Sequence, residues 1–315
     1  MSFQSPPPLG EQIANLFEPA ELMALAIRHY IRVCAEAVFQ KGQVLAPIFQ
    51  TSRLRDEAFG RFWIEFSALR QQAATPEAAP TTTEDATEEE QLQPPQKTGS
   101  AALLPALLSN AHGVVLDIGP GTGTQMPLLR SHAIQAIYGP EPCRGLHATL
   151  HAAAAAAGLA AKYHVLPCGA AASELLPALR ATGTAVVDAY TRDAAAGVFD
   201  TIICVRVLCS VPEMERTVRE LYALLKPGGR MLVLEHVVNP WRTAKGSVVA
   251  RAAQSVYQMA GWSFLVGDCC LTRDTETVLR AAADGDGGWA SVELERWFEW
   301  SPMPHLSGVL VKKTA

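Results

Sequence analysis

The chain has 315 residues, of which 49% are hydrophobic and 18% charged, so it can bury at least one complete core. The segment 76–97 holds six acidic residues and one lysine, which alone account for the formal net charge of −5. The near-neutral remainder lacks the basic surface that binds phosphate backbones, so we expect no nucleic-acid partner. No run of about 20 uninterrupted apolar residues is present to span a bilayer.

The seven cysteines are scattered through the sequence and form no CxxC pair, which is typical of a reducing compartment. The first residues, MSFQSPPPLGEQ, lack the charged-then-apolar layout of a signal peptide. We therefore expect a cytoplasmic protein. Because no histidine or cysteine group shows metal-ligand spacing along the chain, we also expect no bound metal.

Two amphipathic helices are predicted near the N-terminus, the first from Pro19 to about Phe39 and the second after Ser52. The second carries an aromatic stripe at spacings of three and four, made of Phe59, Phe62, Trp63 and Phe66. This stripe indicates packing against the main domain, with the lining of a substrate entrance as the alternative. Residues 1–72 are accordingly interpreted as a helical N-terminal extension.

Residues 73–100 are rich in Pro, Thr and Glu with one large apolar residue, which predicts a disordered acidic linker. From residue 101 onward, strands and helices alternate: strands at 113–118, 134–139, 162–166, 200–205 and 230–236, and helices at 124–131, 143–157, 173–182 and 213–225. Two further extended runs, 291–300 and 304–312, would pair as an antiparallel hairpin on the sheet edge. The predicted fold class of 101–315 is α/β, with a doubly wound, mostly parallel sheet.

The stretch VLDIGPGTGTQ (115–125) ends a predicted strand with an acid and continues with three alternate glycines. Glycine lets the backbone approach a ligand closely, and the first turn of a doubly wound sheet binds nucleotide-like groups. The dinucleotide fingerprint GxGxxG is not met, because Thr124 stands in place of its third glycine. The observed GxGxG, with Asp117 two residues ahead, resembles the first motif of class I S-adenosyl-L-methionine-dependent methyltransferases.

Other segments extend this resemblance. Glu141 ends the second strand, where a carboxylate would accept hydrogen bonds from a ribose diol. FDTIICVRVLCSVPE (199–213) and LYALLKPGGRMLVLEHV (221–237) have the form of the fourth strand with its loop and of a helix, PGG turn and fifth strand. Many relatives carry an acid after the third strand that pairs with the adenine, whereas here only Glu174 follows, several residues later. The resemblance implies S-adenosyl-L-methionine as cofactor, held by Asp117, Gly119, Gly121, Gly123, Glu141, Gly169, Ala170, Arg206 and Val207.

Four segments, VRVLCSV (205–211), LEHV (234–237), DCCLTRDT (268–275) and PHLSGVLVK (304–312), together resemble the methyltransferase-like 7 family. Its animal members are linked to S-methylation of small alkyl thiols, so the resemblance implies a small, fairly apolar acceptor. The thiol is implied by resemblance alone, and oxygen, nitrogen or carbon acceptors stay open. Animal members have an apolar membrane anchor, whereas Arg28, His29 and Arg32 interrupt the first helix here, so at most a peripheral membrane contact is expected.

Methyl transfer is an in-line displacement, in which the enzyme aligns the reactants, excludes water and provides a base if the acceptor is protonated. His236, at the end of the fifth strand, is the predicted catalytic base, with a structural role in the turn as the alternative. Asp268 is the second predicted catalytic residue, although a buried structural pair with Arg273 is favoured. An apolar acceptor pocket is predicted from Trp241, Trp262 and Phe264.

Two other functional classes stay open from the sequence. A nicotinamide-dependent oxidoreductase is disfavoured by the missing third glycine and by the PGG segment. A non-catalytic partner protein that binds cofactor without transferring a methyl group would retain the same glycines and acids. The sequence indicates no oligomeric state.

Overall fold

The computed structural model describes residues 7–74, 99–183 and 196–314. The acidic linker predicted at 73–100 therefore lies, except at its ends, outside the described residues. The described chain contains a helical N-terminal segment followed by an α/β unit. No helix among these residues is both long and apolar enough to cross a membrane.

Seven strands of the described chain form one sheet: β1 (Gly113–Ile118), β2 (Ile134–Pro140), β3 (Tyr163–Leu166), β4 (Phe199–Val205), β5 (Leu225–His236), β6 (Ser291–Trp297) and β7 (His305–Val311). Their order is β3-β2-β1-β4-β5-β7-β6. Neighbouring strands pair in parallel from β3 to β5, and β7 runs antiparallel to both β5 and β6. The predicted doubly wound sheet with an antiparallel edge hairpin is confirmed, and the strand order reverses between β1 and β4, which is the topological switch point of the sheet.

The α-helices of the described residues are α1 (Leu9–Ala35), α2 (Ala46–Phe49), α3 (Thr51–Ala74), α4 (Leu104–Leu108), α5 (His147–Ala156), α6 (Ala172–Ala181), α7 (Met214–Leu224), α8 (Val248–Met259), α9 (Trp262–Leu265) and α10 (Thr275–Ala281). A π-helical turn, Glu36–Gln40, continues α1. The helix predicted at 124–131 is wrong, since this segment holds only a short 3₁₀ turn, Met126–Leu129. Ten residues separate the glycine turn from β2, and Pro127 removes a helical donor, which leaves little room for a longer helix.

Helices α8 and α10 are missing from the sequence-based assignment, although each has a starting signal. The Ser247 side chain accepts the Ala250 N–H at 3.2 Å, and the Asp274 carboxylate accepts the Thr277 N–H at 3.4 Å. Serine and aspartate at such positions cap helix N-termini. The capping residues therefore carry the sequence signal that predicts the start of these two helices.

The sheet carries a hydrophobic core on each face. Leu116 and Ile202 belong to the core that also includes residues of α6 and α7. The neighbouring residues Val115 and Ile203 belong to the opposite core, with residues of α4 and α5. This alternation is the period of two expected of a strand that is buried on both sides.

The N-terminal extension is a pair of packed helices, as predicted, and α1 begins at Leu9, ten residues before the predicted start. Charged side chains join α1 and its π-helical turn to α3. Glu65 pairs with both Arg28 and His29, and Arg61 contacts the Glu36 carboxylate at 2.7 Å. The hydrogen bond from Arg61 lowers the pKa of Glu36 to about 2.

Candidate active site

The glycine turn follows β1 directly and lies at the carboxyl edge of the sheet. Gly119, Gly121 and Gly123 all have positive φ, at 56°, 61° and 74°. A Cβ atom at position 119 would lie 2.5 Å from Val207 Cγ2, and one at position 121 would lie 2.5 Å from Trp63 Nε1. The glycines are thus required by the backbone conformation and by two close neighbours, of which Trp63 comes from the N-terminal extension.

Asp117, at the end of β1, is fully buried and held by side chains rather than by solvent. The Tyr163 hydroxyl donates to Asp117 Oδ2 at 2.9 Å, and Gln125 Nε2 lies 3.4 Å from both carboxylate oxygens. Burial raises the pKa of Asp117 to about 6, against the opposing effect of these two hydrogen bonds. Asp117 therefore links the end of β1 to Tyr163 of β3 and to Gln125 after the glycine turn, and it lies at the switch point of the sheet.

Glu141 connects the end of β2 to the glycine turn. Its Oε2 accepts the Gly121 N–H at 3.0 Å, and its Oε1 accepts the Cys143 N–H at 2.9 Å. The residue is 4% exposed, and burial raises its pKa. Each carboxylate oxygen has two acceptor positions, so each retains one after these bonds. The predicted ribose-binding carboxylate thus lies beside the glycine turn with acceptor capacity available for a diol.

The predicted adenine-flanking residues Gly169 and Ala170 lie just beyond β3. The Gly169 N–H donates to Glu174 Oε2 at 2.9 Å, because the first turn of α6 brings that carboxylate back toward the strand end. An acidic side chain therefore does reach this position, although it is displaced along the sequence. Ala170 and the adjacent Cys168 are buried, and burial raises the pKa of Cys168 to about 11.

Arg206 and Val207 begin the loop after β4. Arg206 has a φ of 55°, and its Nη2 donates to Ser100 Oγ at 2.9 Å. Burial lowers its pKa to about 10, and the nearby charge of Arg70 acts in the same direction. Such a left-handed conformation at a non-glycine residue is a strained one that clusters at functional sites.

Glu235, which sequence reasoning did not assign to the site, fixes this loop to β5. Its Oε1 accepts the N–H groups of Val207 at 2.9 Å and Leu208 at 3.0 Å. Burial raises its pKa to about 8, and Oε2 has no hydrogen-bond partner among the described residues. The signal that could have identified it is an acid within the otherwise apolar strand segment LVLEHV (232–237).

His236 ends β5, and in the strand register it lies opposite His305 of the antiparallel strand β7. Its Nε2 lies 2.9 Å from Cys269 Sγ, and within the part of the chain that the structure describes its Nδ1 has no hydrogen-bond partner. The ligand atoms of Cys209, His236 and Cys269 lie within 4.8 Å of one another. The expectation of no metal depended on sequence spacing, but the fold brings together three residues that are about 30 positions apart.

This Cys209–His236–Cys269 cluster is buried, with the three residues 2%, 7% and 6% exposed. A hydrogen bond from Cys269 holds the pKa of Cys209 well below its usual range, although burial opposes the shift. Burial, the largest single effect, would lower the pKa of His236, but the charge and hydrogen bond of Cys209 and the charges of Glu235 and Cys270 together raise it. Trp262 Nε1 donates to Cys269 Sγ at 3.1 Å. The cluster therefore combines two thiol groups, an imidazole and an indole N–H donor in an apolar surrounding.

Asp268 lies next to this cluster in sequence but faces a different partner. Its side chain is 71% exposed and accepts a hydrogen bond from Arg55 Nη2 at 2.7 Å. Arg273 instead donates to the carbonyls of Leu208 at 2.6 Å and Val211 at 2.7 Å. The predicted Asp268–Arg273 pair is therefore wrong, because Arg273 braces the loop after β4 while Asp268 fastens α3 to the domain.

Helix α3 crosses the carboxyl edge of the sheet. A Cβ at Gly267 would lie 2.6 Å from the Phe59 ring, and Gly60 lies against Gly145 and Cys143 in the turn after β2. Farther along α3, Trp63 contacts Gly121 of the glycine turn. The aromatic stripe thus packs against the main domain, as interpreted from the sequence.

An apolar cluster joins the extension to the sulfur side of the site. Phe62 is 1% exposed and belongs to one hydrophobic cluster with Cys209 and Cys269, together with Met23, Ala26, Trp262, Val266 and Leu271. Of the predicted pocket residues only Trp262 lies here. Trp241 and Phe264 are 42% and 41% exposed and stack with Arg242 and Arg55. The predicted grouping of Trp241 and Phe264 with Trp262 is therefore wrong, and α1 and α3 instead supply the apolar neighbours of Trp262.

Residues 90–284 match the family model described as a methyltransferase domain. Thiol S-methyltransferase TMT1B of Homo sapiens is 34% identical over 125 residues, which cover 38% of this chain and 47% of that protein. Thiol S-methyltransferase TMT1A of Homo sapiens is 33% identical over 120 residues, covering 37% and 45%. The matched segment thus spans about half the length of these relatives. An O-methyltransferase family protein from Burkholderia thailandensis aligns with a TM-score of 0.47 at 14% identity, covering 96% of this chain and 72% of that one.

Proposed function

The chain belongs to the methyltransferase domain family, and on that premise we propose that it transfers a methyl group from S-adenosyl-L-methionine to a small, fairly apolar acceptor. The observation that carries this proposal is the hydrogen bond from Gly121 N–H to Glu141. It joins the glycine turn and the ribose-binding carboxylate into one preorganised unit at the switch point of the sheet.

The residues of this unit fit the cofactor. S-adenosyl-L-methionine supplies, when bound, a methyl carbon activated by a sulfonium. Glu141 would accept hydrogen bonds from the ribose hydroxyls, and Glu174, beside Gly169, is placed to accept the adenine amine. Asp117 and the glycine turn would hold the methionine portion, with Arg206 and Val207 approaching it from β4.

The acceptor is proposed to be a thiol. The relatives TMT1B and TMT1A are named as thiol S-methyltransferases, and the apolar cluster around Phe62 and Trp262 suits an alkyl group and excludes water. A thiol with a pKa of about 8.5 is a few per cent thiolate at neutral pH and needs little help from a base. His236 is the predicted proton acceptor, and oxygen, nitrogen or carbon acceptors are the alternatives that an acceptor panel tests.

We also propose a peripheral contact with a membrane surface. Large apolar side chains are exposed on one face of α1 and in the segment that follows it: Leu9, Ile13, Phe17, Ile31, Phe39, Val44, Leu45, Ile48 and Phe49. Such side chains insert into the headgroup and acyl boundary of a bilayer. Flotation with phosphatidylcholine vesicles tests this, with a Phe39→Ser and Phe49→Ser double variant as the control that should stay in the aqueous fraction. A wild-type chain that does not float would contradict the membrane contact.

The first experiment is calorimetric titration with S-adenosyl-L-methionine and, separately, with NADH, followed by incubation with methyl-labelled cofactor and a panel of thiols, phenols and amines. We expect binding of the first ligand only, and label on a thiol. Label on a phenol or an amine would support the methyltransferase activity and contradict the thiol as acceptor. Cofactor binding with no labelled product would favour the non-catalytic alternative, and no binding at all would contradict the proposal.

A further inference from the structure

The Cys209–His236–Cys269 cluster has no role in the cofactor site, yet it lies at the same edge of the sheet. Cys209 is two residues beyond Val207, whose side chain contacts Gly119 of the glycine turn. His236 follows Glu235, which holds that same loop through Val207 and Leu208. The cluster is therefore joined through the Val207 loop to the proposed cofactor turn.

We propose that Cys209, His236 and Cys269 bind a soft divalent cation, Zn²⁺ above all, with the fourth coordination position open to the acceptor sulfur. Two thiolates and one imidazole are a ligand set that selects zinc over hard cations. Zinc sites with three protein ligands leave a fourth position for water or substrate, and a Cys₂His set is one known form. The use of this position by an acceptor thiol rests on the proposed function, whereas the cation site does not.

The geometry suits such a site after small side-chain movements. Bonds of about 2.3 Å to sulfur and 2.1 Å to nitrogen place tetrahedral ligand atoms about 3.5–3.8 Å apart. The three atoms here lie within 4.8 Å of one another, and His236 Nε2 is 2.9 Å from Cys269 Sγ. Rotations that change these separations by about 1 Å bring all three atoms to bonding distance of one ion. His236 presents Nε2 to the sulfurs, so Nε2 is the ligand atom.

The surroundings suit a metal thiolate that receives an apolar acceptor. Trp262 donates its indole N–H to Cys269 Sγ at 3.1 Å, a hydrogen bond of the kind that orients metal ligands. Met23 and Phe62 contribute apolar surface from the N-terminal extension. An alkyl thiol bound to the ion would have its chain beside these side chains, which would have to move apart to admit it.

The chemistry balances without a further reagent. The S–H bond of the acceptor breaks as its sulfur binds the ion, and the proton leaves to solvent. The bound sulfur then forms a bond to the sulfonium methyl carbon, and the electron pair of the breaking carbon–sulfur bond stays on the departing thioether. In this arrangement His236 is a ligand rather than a proton acceptor.

The test measures the metal independently of turnover. The full chain is purified without chelators and with a phosphine reductant that keeps the thiols free, and its zinc content is measured by mass spectrometry. We expect about one ion per chain in the wild type and less than about one tenth in Cys209→Ser, Cys269→Ser and His236→Ala. His236→Cys, which restores a soft ligand, should regain the ion.

Cys270→Ser is the matched control, because Cys270 is adjacent to Cys269 but lies 3.5 Å from Thr272 Oγ1 and outside the cluster. It should keep the wild-type zinc content. Calorimetry with S-adenosyl-L-methionine shows that each variant is folded, and we expect less than about a twofold change in affinity for all of them. The proposed site would be overturned if the wild type held no zinc even after reconstitution. It would also be overturned if Cys209→Ser, Cys269→Ser and His236→Ala bound as much zinc as the wild type.

Replacement of zinc by Co²⁺ tests the open position. We expect a four-coordinate visible spectrum that shifts when butanethiol is added and does not shift with butanol. A cobalt spectrum that butanethiol leaves unchanged would overturn the acceptor position but not the cation site. A spectrum that shifts in a protein that transfers no methyl group would instead contradict the proposed function and support this inference.

Discussion

The two ends of the carboxyl edge hold their buried polar groups differently. On the cofactor side, the carboxylates of Asp117 and Glu141 are satisfied by Tyr163, Gln125 and backbone N–H groups. On the acceptor side, Glu235 Oε2 and His236 Nδ1 have no hydrogen-bond partner among the residues that the structure describes. Buried groups without partners are costly. The proposed cofactor side therefore has its buried acids paired before any ligand binds, whereas the side with the Cys209–His236–Cys269 cluster keeps two buried polar atoms without a partner among the described residues.

The largest expected effect is that of Gly121→Val on the cofactor side. The left-handed conformation alone costs about 1–2 kcal/mol for a residue with a Cβ. The new side chain also meets Trp63, so we expect a loss of at least about 3 kcal/mol of unfolding free energy and no measurable cofactor affinity. Denaturant unfolding and calorimetry measure the two effects.

Gly158→Val separates these two causes, because Gly158 has a φ of 72° but no atom within 4 Å of the added Cβ. This control should lose about 1–2 kcal/mol and bind the cofactor normally. Equal losses in both variants would show that contact with Trp63 does not constrain the glycine turn.

The second effect is the pH dependence that Asp117 introduces. Its pKa is about 6 in the folded chain and close to 3.8 in the unfolded chain, so the folded state binds the proton more tightly between these values. The stabilising contribution is complete below pH 3.8 and is lost as pH rises through 6, a change of about 3 kcal/mol. Asp117→Asn lacks this loss. The unfolding free energies of the wild type and the variant should therefore be similar at pH 4, and at pH 7 the wild type should be the less stable of the two. A difference that stays constant between pH 4 and pH 7 would contradict the raised pKa of Asp117.

The third effect concerns Glu141, which connects β2 to the glycine turn. Glu141→Ala removes two charge-assisted hydrogen bonds within the protein and those proposed to the ribose. We expect a loss of about 1.5–3 kcal/mol in binding, or about 10- to 150-fold in the dissociation constant for S-adenosyl-L-methionine. Glu141→Gln, which keeps one carbonyl acceptor, should lose less. Unchanged affinity in the alanine variant would remove Glu141 from the cofactor site.

What the sequence predicts differs between the two sides for a physical reason. Asp117 and the three glycines lie within seven consecutive residues, and Glu141 ends the next strand, so local pattern and strand order place them together. The displaced Glu174 also follows from local structure, since one turn of α6 returns it to Gly169. On this side the prediction is wrong for the short segment after the glycine turn, where Pro127 competes with helical propensity.

The acceptor side is assembled from segments that are distant in sequence. Cys209, His236 and Cys269 come from three different loops and strand ends, and no local period or spacing relates them. Met23 and Phe62, which pack against this cluster, come from helices that precede Cys209 by about 150 positions or more. Such contacts depend on tertiary packing, so the sequence predicted His236 from its strand end and did not predict its partners.

The smallest expected effect distinguishes the two catalytic residues predicted from the sequence. Asp268 is exposed and pairs with Arg55, and exposed ion pairs contribute less than about 1 kcal/mol. Asp268→Asn should therefore change turnover by less than about twofold, whereas His236→Ala should reduce it by about 100-fold or more, because it removes either a proton acceptor or a ligand of the proposed ion. Initial rates of labelled methyl transfer measure both variants. A large loss in Asp268→Asn would contradict this, and it would mean that the ion pair which holds α3 over the edge of the sheet is itself required for turnover.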